Sequence, residues 1–451
     1  MKLNLTNDVG KNYFTNRYYL CFIIIFFIKL PVFLLGFIIK PEPIADSMQY
    51  ISVATYKFNN LSFFTERPFG YPLFIKFLGL NLYGVVVVQF IISVFVWSLL
   101  YYYLKISMIK LRLKMLLTVI IFILVASVQI TNWDNKVLTE SLTISSLCLS
   151  FTLIYAIYNY GSSFIKLVGL TMSIILFVSL RDSNYVIALF LFAFILFSRK
   201  FTLISKIFII GFICIFIGFI ISTSKIGGRQ KINLGDCLAG YVYANDAYNH
   251  DYYSSGTHSY YEWYTKHTSV PKLKALYDEC LTKYTNKDTM LYKCFPYNNK
   301  DMQQYINSMN LKNDYVKFIL RHPFFLLFDH FEHLPRTRFL IFGISYTEYG
   351  GGSLLNSAPY GYLINLSGII YGIAVVILYG IFGASIIRKY FLIKRSVGLF
   401  YIYALFIPSW FFAVLMFVGD PMELGRHVLA GAWYMLIGSV VTIMHVLNSD
   451  K

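Results

Sequence analysis

Ten apolar runs separated by polar stretches set the outline of this 451-residue chain. They cover 18–39, 82–104, 115–130, 137–158, 164–180, 184–197, 203–222, 362–387, 397–418 and 428–446. A helix needs about 20 apolar residues to cross the hydrocarbon core of a bilayer. The pattern therefore predicts an all-α polytopic membrane protein of about ten transmembrane helices. The first run is too long for the apolar core of a cleavable signal, and no small-residue cleavage site follows it, so it counts as a span. Three modules result. Residues 1–222 form an N-terminal transmembrane module with a first outer loop at 40–81. Residues 223–361 form a Tyr-rich extracytoplasmic segment with interfacial helices, and 362–451 a C-terminal transmembrane module.

Charge orients these spans. Hydrophobic residues make up 57% of the chain and charged residues 14%, against roughly 25% charged in a soluble domain. A soluble globular enzyme and a disordered chain are both excluded. The net charge is +17. In a soluble protein that excess suggests nucleic acid, but here it sits in short polar stretches. Lys2, Lys11 and Arg17 precede the first span. Lys105, Lys110, Arg112 and Lys114 form one cluster, Arg199, Lys200 and Lys206 another, and Arg388, Lys389, Lys394 and Arg395 a third. With ten spans and both termini cytoplasmic, all of them fall inside, as the positive-inside rule requires. No nucleic-acid partner is implied. Reading 164–197 as one helix would turn the Arg199 cluster outward, so Arg181 and Asp182 are placed at an outer turn between two spans. The outward segments are then 40–81, 131–136, that turn, 223–361 and 419–427. Cys21, Cys148 and Cys214 lie in apolar runs and read as inert core residues. Cys237, Cys280 and Cys294 share a polar stretch, where at most one pair forms.

The outward segments carry the candidate chemistry. Asp46 lies just past the first span, where apolar surroundings raise a carboxyl pKa and suit it to proton transfer; alternatively Asp46 or Ser47 caps a helix beginning at Met48. Glu66, Arg67, Pro68, Phe69, Gly70, Tyr71 and Pro72 make a rigid element in which Glu66 and Arg67 either pair or hold an anion, or a plain surface turn. Asp134 sits in the second outer loop. Glu140 opens the fourth span, where a carboxylate is expensive unless it meets a wet cavity or a partner. Thr139 and Ser141 would make it a simple capped start. Arg181 suits a phosphate or pairs with Asp182. Asp420, Glu423, Arg426 and His427 crowd the last outer turn. Aromatics of the large segment (Tyr241, Tyr243, Trp263 and others) can stack on sugars. His330, Glu332 and His333 are too loosely spaced for a metal site, and no metal or cofactor is implied. Lys29 is the main charge within a span, and snorkelling is the simplest account of it. Nucleotide-binding glycine loops are missing from the sequence.

The order of these features resembles the GT-C superfamily of polytopic membrane glycosyltransferases, which includes protein O-mannosyltransferases, the lipid A aminoarabinose transferase and O-antigen glucosyltransferases. Asp46-Ser47-Met48-Gln49-Tyr50, followed by Arg67-Pro68-Phe69-Gly70-Tyr71-Pro72, resembles the family's first outer loop. Thr139-Glu140-Ser141, Arg181-Asp182-Ser183 and Arg426-His427 resemble its later motifs. The likeness covers roughly the first 200 residues and the final turn; Ala45 stands where the family often has a second acid. It implies an inverting transfer of a sugar from a polyprenyl-phosphate donor to a glycan or lipid acceptor. The site would face outward from a bacterial inner membrane, among membrane lipids. Asp46 and Glu140 would be catalytic, with Asp46 as general base. Tyr50, Glu66, Arg67, Tyr71, Asp134, Arg181, Asp182, Glu423 and Arg426 would bind substrate. The competing classes are a lipid-linked-oligosaccharide flippase or other secondary transporter, and an O-antigen polymerase. The scarcity of charge within spans and the long outer loops count against a carrier.

Overall fold

The computed structural model describes residues 8–38, 45–107, 109–197, 201–227, 275, 279, 282–283, 360–387 and 429–448. Every regular element among them is helical. In chain order these are α1 (Asp8–Ile38), α2 (Ala45–Thr55), α3 (Ser62–Thr65), α4 (Gly70–Phe77), α5 (Leu82–Ile106), α6 (Leu111–Ala126) and α7 (Val128–Thr131). A 3-10 turn at Asn132–Asn135 follows, then α8 (Glu140–Tyr160), α9 (Phe164–Leu180), α10 (Asn184–Phe197), α11 (Leu203–Ile226), α12 (Tyr360–Ile387) and α13 (Leu429–Asn448). Four helices are long and apolar enough to cross a membrane: α1 over Asn16–Leu35, α5, α8 and α11. A fifth joins them if α6 and its bent continuation are one span. These helices mark a membrane protein. The runs at 164–180, 184–197 and 362–387 are helical too, as is the last run from Leu429, whereas the expected span at 397–418 lies outside the described residues.

The chain divides into two units. One comprises residues 1–222, 339–410 and 429–451. The other comprises 223–338 and 411–428; its described residues include an exposed Lys283–Glu279 ion pair. In the first unit α8 is the central helix, buried along nearly its whole length and packed on α5, α9 and α13. Its small hydroxyl residues permit close approach. Ser150 meets Ser173 of α9 at 2.8 Å, and other hydroxyls bond back to carbonyls of their own helix, as Thr143 does to Thr139 at 2.9 Å. By contrast α1, α5 and α11 expose many large apolar side chains, as helix faces turned to lipid do. Cys214 on α11 is exposed, which corrects the expected core position: the apolar surroundings of that cysteine in sequence suit lipid as well as protein. Cys21 and Cys148 are buried.

Local signals set the turns. Asn81 caps α5, its side chain accepting from the Gly84 amide at 3.1 Å, and Ser163 caps α9 in the same way. Gly161 ends α8 at φ 81°, a left-handed conformation that a side chain disfavours. Helices α8, α9 and α10 are joined by short turns and alternate in direction, while α5 packs on α8 in the same direction, Tyr103 near its end meeting Tyr155 and Tyr160 near the end of α8. The start of α5, the start of α8, the end of α9 and the start of α10 therefore share one end of the bundle. Lys105, Lys110, Arg112 and Lys114 lie at the opposite end, together with mutually packed Tyr103, Tyr155 and Tyr160.

The stretch expected as a second outer loop, 131–136, is different. Helix α6 stops at Ala126, and the chain turns by 53° into α7 and the 3-10 turn. All residues from Gln129 to Cys148 are buried. This is a polar segment folded into the protein, and its Asp134 carboxylate is matched there by Lys29 of α1.

Candidate functional site

The segment from Ala45 to Phe77 forms one face of the site. Asp46 falls in the first turn of α2, and its side chain lies outside the described residues. Ser47 is fully buried and its hydroxyl has no partner among the described residues; it lies inside α2, which begins at Ala45, and does not cap it. Tyr50 packs edge-on against Tyr71, with ring centroids 5.3 Å apart. The Arg67 guanidinium lies 5.4 Å from the Tyr50 ring centroid, a cation–π geometry, and donates to Gln49. Glu66 accepts from the Tyr56 hydroxyl at 3.1 Å. Lys76 anchors α4 to α2 through the Ala54 and Tyr56 carbonyls, at 3.0 and 2.7 Å.

Gly70 explains how the 66–72 element reaches Arg181. A Cβ there would lie 2.2 Å from the Ser179 hydroxyl and 2.8 Å from its backbone oxygen. Only glycine lets the start of α4 rest on the last turn of α9, next to Arg181. Pro72 is tolerated in the same turn, because the first amides of a helix have no carbonyl to bond.

Tyr71 carries the contact inward. Its hydroxyl donates to Gln89 Oε1 at 2.6 Å. Burial pushes the phenol well above its usual pKa, with Glu140 and Tyr50 adding to the rise, so it remains a donor. Gln89 Nε2 donates to the carbonyls of Lys136 at 2.9 Å and Asp134 at 3.3 Å. The Asp134 carboxylate pairs with Lys29 at 2.9 Å and accepts from the Ser141 hydroxyl at 2.6 Å. Lys29 also donates to Ser93 at 2.8 Å. Glu140, beside Ser141, pairs with Arg181 at 3.1 Å, both side chains being at most one-tenth exposed. Thr139 donates to the other Glu140 oxygen at 3.4 Å. Asn184 closes the turn after Arg181 by donating to the Phe177 carbonyl at 2.7 Å.

Six of the eleven expected site residues thus join one continuous set of contacts: Tyr50, Arg67, Tyr71, Asp134, Glu140 and Arg181. Glu66 sits at its edge. Asp182 is partly exposed and close enough to influence the Tyr185 phenol. Glu423 and Arg426 lie outside the described residues. Lys29 does not snorkel; it is fully buried against Asp134. The aspartate comes from the irregular turn after α7, so no periodicity along α1 marks the pair. Gln89 and Ser93 also belong to the site; polar residues four apart in an apolar run share one helix face, which is a readable signal.

The arrangement combines buried carboxylates with two guanidinium groups near one end of the bundle. Guanidinium suits a phosphate by its planar fork of donors. A neighbouring carboxylate suits the orientation of hydroxyls. Among the described residues no cluster of three or more His, Cys, Asp or Glu stands ready for a metal. No protein-family model, curated protein or solved structure matches the chain.

Proposed function

We propose that this protein is an integral membrane glycosyltransferase. It moves a sugar from a polyprenyl-phosphate donor to an acceptor hydroxyl on a surface glycan or lipid. The proposal includes ten spans, cytoplasmic termini, a large extracytoplasmic segment and a site facing outward from a bacterial inner membrane. The observation that carries it is the meeting of residues from three separate stretches, 49–71, 134–141 and Arg181, in one buried network. That network lies at the bundle end away from the Lys105–Lys114 cluster, the end that the positive-inside rule turns outward.

In this reading the Asp46 carboxylate takes the acceptor proton as the hydroxyl oxygen bonds to the sugar C1. The bond from C1 to the phosphate oxygen breaks, and the polyprenyl phosphate leaves with the electron pair. It needs no proton, only positive charge, which Arg67 or Arg181 supplies. Glu140 orients Arg181 and the reacting sugar. The test is Asp46→Asn in purified protein in nanodiscs, with transfer from polyprenyl-phosphoryl sugars followed by mass. Transfer falls to background while folding and insertion are retained. Full transfer by the variant removes Asp46 from the mechanism.

One observation favours a second reading, a lipid-linked-oligosaccharide flippase or other secondary transporter: the fully buried Lys29–Asp134 pair, since ionisable groups inside a bundle often serve ion or substrate pathways. It predicts translocation of a lipid-linked glycan across liposomes with no change in its mass.

A further inference from the structure

The Asn132–Asn135 turn holds two side chains that this network leaves out. Asn135 is 3% exposed, and neither its amide nitrogen nor its carbonyl oxygen has a partner among the described residues. The Asn132 amide nitrogen, in a residue 5% exposed, has none either. In a 3-10 helix residues i and i+3 eclipse, so both carboxamides stand on one side of the turn. Asp134, between them, bonds to Lys29 and Ser141 instead. Buried amides without partners are costly and uncommon.

Their setting is just as unusual. Irregular backbone leaves amides and carbonyls that a helix would pair among themselves, so its burial calls for outside partners, and this buried turn follows a 53° bend. It is also held rigidly. Lys29 and Ser141 fix the Asp134 side chain, and Gln89 fixes the Asp134 and Lys136 carbonyls. A rigid segment with unpaired carboxamides is preorganised for a polar ligand, because the ordering cost falls on folding and not on binding.

We propose that Asn132 and Asn135 form a hydroxyl-binding face that selects the sugar ring of the lipid-linked donor. A carboxamide offers a donor and an acceptor side by side, which complements two neighbouring ring hydroxyls. Neither asparagine titrates, so the face recognises and does not move protons. This inference rests on the glycosyltransferase reading and adds to it the residues that choose the sugar.

The test compares wild type, Asn132→Leu and Asn135→Leu in nanodiscs free of sugar detergents. Binding is measured to bare undecaprenyl phosphate and to undecaprenyl phosphates carrying glucose, galactose, mannose or N-acetylglucosamine. Wild type binds at least one glycosylated lipid more tightly than the bare one, by about tenfold for each hydroxyl pair engaged. Asn135→Leu loses that margin, binds the bare lipid as wild type does, and unfolds at the same or a higher temperature. Retention of the full margin in both variants overturns the inference. So does an Asn135→Leu protein with lowered thermal stability and an intact margin, which would make the carboxamide a water-bound structural group. Equal binding of bare and glycosylated lipids by wild type overturns this inference alone. No binding of any of these lipids overturns the glycosyltransferase reading as well.

Discussion

The Lys29–Asp134 pair offers the sharpest test of how the site is built. The two charges are 2.9 Å apart, with side chains 0% and 2% exposed. Lys29→Met keeps the length and most of the volume of the side chain but leaves the Asp134 carboxylate buried with its Ser141 hydrogen bond at 2.6 Å. Removing one partner of a buried pair costs about 3–5 kcal/mol, because the remaining charge has lost its water and its counter-charge. Asp134→Asn breaks the pair from the other side, leaving the buried Lys29 ammonium with its Ser93 hydrogen bond at 2.8 Å, and should cost a similar amount. The double variant Lys29→Met/Asp134→Leu removes both charges. Replacement of a whole buried pair by apolar groups is often close to neutral, so the double variant should sit nearer wild type than Lys29→Met alone. Reversible unfolding in mixed micelles of SDS and a non-ionic detergent measures all four proteins on one scale. A loss under about 1 kcal/mol for Lys29→Met would refute the reasoning, as would a double variant no more stable than that single one. The first outcome would mean that water reaches the pair. The second would mean that the pair does not act as a unit.

Three further outcomes test other parts of the structure. Gly70→Ala puts a Cβ 2.2 Å from the Ser179 hydroxyl and 2.8 Å from its backbone oxygen; it should cost roughly 1–3 kcal/mol as α4 lifts off α9, and an unchanged unfolding midpoint would refute the contact. Tyr71→Phe leaves the buried Gln89 oxygen without its 2.6 Å donor and should cost about 1–3 kcal/mol. Because burial raises the Tyr71 pKa, the donor should persist from neutral pH to beyond the usual phenol range, so that difference in stability should stay flat up to pH 9. Reporter fusions at Lys110 and Ser255 should report the cytoplasmic and outer sides respectively, and the same side for both would overturn the topology.

Much of the helical framework was legible in the apolar runs. The break at Arg181 and Asp182 followed from charge alone, and the structure places it between α9 and α10. The motif residues were also legible as types: an arginine beside prolines, a glutamate opening an apolar run. Less visible was the depth of the 131–136 stretch. In sequence it is as polar as any exposed loop, and only the partners supplied by α1, α5 and α8 make its burial tolerable. Lys29 shows the same limit from the other side, because its burial depends on a residue on a distant, irregular turn. Gly70 could be recognised as a turn residue, but nothing local indicated that its missing side chain makes room for Ser179.

The chain's own order of apolar and charged residues determined that it enters a membrane, where most helices begin and end, and which bundle end gathers the lysines of 105–114. Those properties depend on transfer of single segments from water to lipid, and each segment carries its own free energy. The tertiary structure decided which polar groups meet: Lys29 with Asp134, Glu140 with Arg181, Tyr71 with Gln89. Such pairings depend on short-range geometry between helices far apart in sequence, and that geometry exists only once the helices have packed.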